Sequence, residues 1–67
     1  MNTPLEYIPI QVISGILDEI SKLNRLIREL QDAGENPDSL SIRQYKFLRD
    51  RFKKELQELL KEYDLIS

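Results

Sequence analysis

The sequence predicts an all-α protein, an antiparallel two-helix hairpin that dimerises into a four-helix bundle. Three observations predict it. Two stretches of near-equal length carry apolar residues at helical spacing, and the turn-forming segment Gly34-Glu35-Asn36-Pro37-Asp38-Ser39 separates them. The first stretch holds more apolar surface than one partner helix can cover. Finally, the 67 residues include no Cys and no His, so neither disulfides nor the commonest metal ligands supplement what must be a small core. Oligomerisation is the remaining remedy.

The whole chain, 1–67, reads as one domain. Thr3-Pro4-Leu5-Glu6 is a helix-start signal, with Thr3 as cap, Pro4 in the first position and Glu6 completing a capping box. Pro9 interrupts it, because proline lacks the N–H for a bond to Leu5 and disfavours a helical Ile8. The reading is a short turn over 4–7 and a long first helix over about 9–33; a kinked helix running from Pro4 is the alternative. Gly34 is the natural left-handed cap that stops the first helix. Residues 34–41 form the connection. Ser41 is the expected cap of the second helix, with Gln44 in the capping-box position and Leu40 and Tyr45 as the staple. That helix runs over about 42–64. Two helices of about 25 and 23 residues span roughly 37 and 35 Å, and a short connection between equal helices makes them antiparallel.

The two apolar stripes differ in period. Ile13, Ile16, Ile20, Leu23, Ile27 and Leu30 are spaced 3-4-3-4-3, a heptad pattern. Tyr45, Leu48, Phe52, Leu56, Leu59 and Tyr63 are spaced 3-4-4-3-4, which is closer to an eleven-residue repeat. A weakly supercoiled pair is expected, with Leu30 opposite Tyr45, Leu23 opposite Phe52 and Ile13 opposite Tyr63. At the open end, Leu5, Tyr7, Ile8 and Ile10 are expected to meet Tyr63, Leu65 and Ile66. Asn24 and Arg49 fall at the stripe edges at similar height, where they could meet and fix register or simply reach solvent.

The apolar residues between Ile10 and Leu30 sweep roughly 200° at about 100° per residue, whereas one buried stripe needs somewhat more than 100°. The surplus lies along one edge: Val12, Leu23, Leu26 and Leu30, with Ile16 beside them, are the expected oligomer interface. Leaving such side chains wet forgoes about 1.5–3 kcal/mol each. A homodimer is the expectation, with a higher bundle or a complex with a different protein as the alternatives.

Function is less legible. A net charge of −2 sets up no overall field toward nucleic acid or membrane. No apolar run approaches the roughly 20 residues of a membrane span, and Met1–Glu6 lacks a basic leader, so a cytoplasmic protein is expected. Without His or Cys, a nucleophile would lack its usual partner, and no catalytic role, metal or cofactor is expected. Glu55, Glu58 and Glu62 share a face, but the Glu-x-x-His element of carboxylate-bridged metal bundles is missing. The remaining candidate is the outward face of the second helix, where Arg43, Phe47, Arg51 and Lys54 follow at spacings of 4, 4 and 3. An aromatic among cations suits an acidic protein partner. It suits stacking and phosphate contacts in RNA as an alternative, and a solvated face on which Phe47 packs beneath arginine stems as a third. Non-enzymatic action through protein–protein contact is the functional expectation, with RNA or DNA binding as its rival.

Overall fold

A computed structural model describes residues 9–65. They form two helices, α1 over Ile10–Asp32 and α2 over Leu40–Glu62, packed against each other as a hairpin. Each has 23 residues, about 35 Å at 1.5 Å per residue. The turn expected over 4–7, and most of the cluster expected at the open end, lie outside the described residues.

Pro9 precedes α1 with φ −76°, and its carbonyl accepts the Ile13 N–H at 3.0 Å, closing the first turn without a side-chain cap. The far end of α1 follows from Gly34. With φ +87° it takes the left-handed conformation, the Glu35 N–H donates to the Leu30 carbonyl at 2.9 Å, and the Gly34 N–H donates to that of Gln31 at 3.0 Å. This is a Schellman ending, which satisfies carbonyls that the helix leaves open.

The connection corrects the expected start of α2. The Asn36 side-chain oxygen accepts the Asp38 N–H at 2.8 Å, and the Asn36 carbonyl accepts the Ser39 N–H at 2.8 Å. That turn is complete by Asp38, so the next extended residue is Ser39 (ψ 151°), not Ser41. The Ser39 hydroxyl accepts the Ile42 N–H at 3.3 Å, capping the helix two residues earlier than expected. Leu40 is consequently the first residue of α2 and is 68% exposed, so the Leu40–Tyr45 staple does not form.

α2 ends as α1 does. The Leu65 N–H donates to the Leu60 carbonyl at 2.8 Å and the Asp64 N–H to that of Lys61 at 3.0 Å. Here the left-handed residue is Asp64, with φ +58°.

Burial reorders the second stripe. Ile42, absent from the expected stripe, is fully buried, whereas Leu48 is 40% exposed. Arg49, with its side chain 25% exposed, takes the place given to Leu48. The seam of α2 is therefore Ile42, Tyr45, Arg49, Phe52, Leu56, Leu59 and Tyr63, each buried or half-buried. Its spacing is 3-4-3-4-3-4, the same heptad as α1. The period mismatch disappears, and with it the reason to expect a straighter pair. Among the described residues the buried core is Ile16, Leu23, Ile27 and Ile42, with half-buried Ile13, Ile20 and Leu30 continuing the seam of α1.

Candidate interaction surfaces

The heptads assign every other residue to a side. Antiparallel packing puts the positions before the first seam residue of each heptad along one edge: Val12, Glu19 and Leu26 of α1 with Leu48, Glu55 and Glu62 of α2. The positions after the second seam residue form the other edge: Ile10, Leu17 and Asn24 with Lys46, Lys53 and Leu60. The hydrogen bonds agree with this assignment. The Arg49 Nη1 donates to Asn24 Oδ1 at 3.3 Å, and its Nε donates to Asp50 Oδ1 at 3.2 Å, both at the second edge.

Asn24 and Arg49 thus do meet, at the solvent margin rather than in a buried pocket. The Arg49 stem covers apolar surface in the seam while its guanidinium reaches water. The adjacent ion pair with Asp50, half in solvent, adds little stability. So does the exposed Glu19–Lys22 pair at 3.6 Å.

The residues expected at the oligomer interface divide. Ile16 and Leu23 are buried in the seam, already covered by α2. Leu26 is half-buried and Val12 exposed along the first edge, while Leu30 is a half-buried residue at the loop end of the seam. The apolar surplus on that edge is therefore smaller than the sequence implied, and Leu48 extends it onto α2. Ile10 and Leu17, both exposed, lie on the second edge. The seven-residue spacing Ile10-Leu17-Asn24 was the available signal for them, and it fades at a polar residue.

The outer ridge of α2 lies opposite the seam. Phe47 is 63% exposed, with Leu40 one heptad before it on the same ridge and Leu48 beside it. Arg43, Lys46 and Asp50 border the shallow surface that these three line. Further along, Phe47 borders a second depression with Arg51, Lys54, Glu55 and Glu58. The four residues expected on this face are therefore together, and Leu40 is an addition to them. A phenyl ring this exposed is only partly sheltered by arginine stems.

Charge is sorted along the hairpin. Lys22, Arg25 and Arg28 on α1, with Arg43, Lys46, Arg49, Arg51, Lys53 and Lys54 on α2, account for nine of the ten cations. Glu29, Asp32 and Asp50 are the acids among them, so this band carries a net +6. It lies mainly on the loop side of the hairpin's midpoint and reaches just past it at Lys53 and Lys54. Toward the open end stand Asp18, Glu19, Glu55, Glu58, Glu62 and Asp64 against Lys61 alone, a net of −5. The connecting segment adds Glu35 and Asp38.

Among the described residues no three of His, Cys, Asp and Glu come together in a way that would hold a metal ion, and no helix is long and apolar enough to cross a membrane. No protein family, curated protein or solved structure matches the chain.

Proposed function

We propose that the chain is a non-enzymatic helical hairpin of the cytoplasm that pairs with a second copy of itself and acts through contacts with another protein. Val12, Leu26, Leu30 and Leu48 make the self-contact. The ridge of Arg43, Phe47, Arg51 and Lys54 faces the other protein, where an acidic surface with an apolar slot would match it. One observation carries this reading: seven large apolar side chains are exposed among the described residues, against four that are buried. A hairpin of this size has little stability to spare, and covering part of that surface supplies what its core does not.

Light scattering at micromolar concentration tests the pairing. The expected mass is twice the 8.0 kDa of the chain. Leu26→Glu places a charge on the half-buried edge and is expected to return the mass to that of one copy. A wild-type monomer would remove self-association, and a Leu26→Glu dimer would remove this edge.

The nine-cation band favours nucleic acid as the second reading. Retention on RNA should then fall steeply, by orders of magnitude, between about 50 and 200 mM salt, and Arg51→Glu should weaken it. Absence of retention at low salt excludes that reading.

A further inference from the structure

We infer that the second edge of the hairpin is a binding face for single-stranded nucleic acid, with Arg28 of α1 and Arg43, Lys46, Arg49 and Lys53 of α2 receiving its phosphates. It rests on the second reading given above and narrows the nine-cation band to one face. The heptads sort charge by side as well as by end, the two outer ridges aside. On the side of the second edge, those five cations stand against Asp50 and Asp64, a net of +3. On the side of the first edge, Lys22 and Arg51 stand against Glu19, Glu29, Glu55, Glu58 and Glu62, a net of −3. Asp64 lies at the open end, and Asp50 accepts a hydrogen bond from the Arg49 Nε, so the stretch from the connection to Lys53 is a basic surface. A chain whose overall charge is −2 thereby turns one cationic side toward its surroundings.

Both helices contribute to this face. The Arg49–Asn24 hydrogen bond sets those residues level, which puts Arg28 about level with Tyr45, between Arg43 and Lys46. Arg28, Arg43 and Lys53 are exposed, and Lys46 and Arg49 are half-buried along their stems. On α1, Ser21, Asn24 and Arg28 line one shallow depression, adding a hydroxyl and an amide to the charged donors. Guanidinium, ammonium, hydroxyl and amide are the groups that hold phosphate oxygens. Among the described residues, Asn24, Gln31, Lys46 and Lys53 make up this edge from the connection as far as Lys53, and none supplies the apolar centre that a protein interface needs. Ile10 and Leu17 lie beyond it, toward the open end. That favours a phosphate chain over an acidic protein. Phe47, 63% exposed, borders the same surface beside Arg43 and Lys46, where an unstacked base can lie on its ring. A duplex keeps its bases stacked on one another and leaves that ring idle, so the strand is single.

Fluorescence anisotropy of a labelled oligouridylate, read across a salt series, tests the face. Five phosphates at about 0.7 each give a slope of about −3.5 in log affinity against log salt, or roughly a hundredfold loss between about 50 and 200 mM. Arg28→Gln and Lys53→Gln each remove one exposed cation from the face. Each is expected to weaken binding about threefold or more and to flatten the slope by about 0.7. Lys22→Gln removes the same charge from the other side and is expected to leave both unchanged. Circular dichroism checks that the three variants keep equal helix content. Phe47→Leu is expected to weaken binding by at least about fivefold, and Phe47→Tyr to retain it. If Lys22→Gln weakens binding as much as Arg28→Gln does, the face is overturned and nucleic-acid binding stands. Undiminished binding by Phe47→Leu overturns the single-stranded assignment. Equal affinity for a labelled oligoglutamate overturns nucleic acid in favour of an acidic protein. No binding at about 50 mM salt overturns the nucleic-acid reading and the face together.

Discussion

The loop end of the hairpin and its open end share one backbone solution and fill it with different residues. At the loop end, α1 stops at a glycine in the left-handed conformation, an asparagine side chain sets the turn, and a serine hydroxyl caps α2. Ile42 is sealed directly behind that cap. At the open end, α1 begins at Pro9 with no side-chain cap, and α2 stops at an aspartate held left-handed. Val12, Ile10 and Leu65 are exposed there. The hydrogen bonds that end α1 and α2 are equivalent, so the difference lies in what each residue costs in its conformation and how much it covers. Stability is expected to be graded along the hairpin, highest beside the connection.

The largest effect that could break this comparison is at Ile42. Ile42→Ala empties a fully buried position and is expected to cost about 2–5 kcal/mol, whereas Leu65→Ala changes stability by no more than about 0.5 kcal/mol. Urea denaturation measures both, and equal costs would show that the two ends are equally anchored. A smaller effect separates the two left-handed residues. Gly34→Ala forces a side chain into φ +87°, where space is open and only the backbone objects, for a cost of about 1–2 kcal/mol. Smallest, and opposite in sign, is Asp64→Gly: relief of the φ +58° conformation is expected to add about 0.5 kcal/mol, reduced by the greater freedom of glycine in the unfolded chain. A loss of stability in that variant would mean that the Asp64 side chain contributes something its geometry does not reveal.

The same contrast explains what the sequence could and could not tell. The hairpin class, the seam of α1 and the Gly34 stop were legible, because each rests on a local rule with one strong reading: six aliphatic residues at heptad spacing, or glycine after a helical run. The seam of α2 was not, because Arg49 occupies a position that a pattern of apolar residues skips. Its long stem does the covering while its charge leaves for Asn24 and Asp50, and Leu48 next to it looks like the better candidate. The cap was misplaced for a related reason. Ser39 and Ser41 are chemically equal, and the choice falls to the turn that ends at Asp38. Asp64 carries no marker, since aspartate takes the left-handed conformation only when its surroundings require it. On the surface, the Phe47 ridge was visible from spacing alone. The depth of Ile16 and Leu23 was not, because it depends on where α2 comes to rest.

The seven-residue connection from Ala33 to Ser39 also sets the order in which this chain can assemble. Contacts next to it join residues close in sequence, and each further layer of the seam joins residues about seven positions more distant, so the entropy lost in closing the chain rises, ever more slowly, toward the open end. Folding is therefore expected to start beside the connection, near Ile27 and Ile42, and to advance layer by layer toward Ile13 and Tyr63. Substitutions near the connection should slow folding, and those near the open end should mainly hasten unfolding. Val12 and Ile13, at the open end of the hairpin, are then the last residues to be fixed in place.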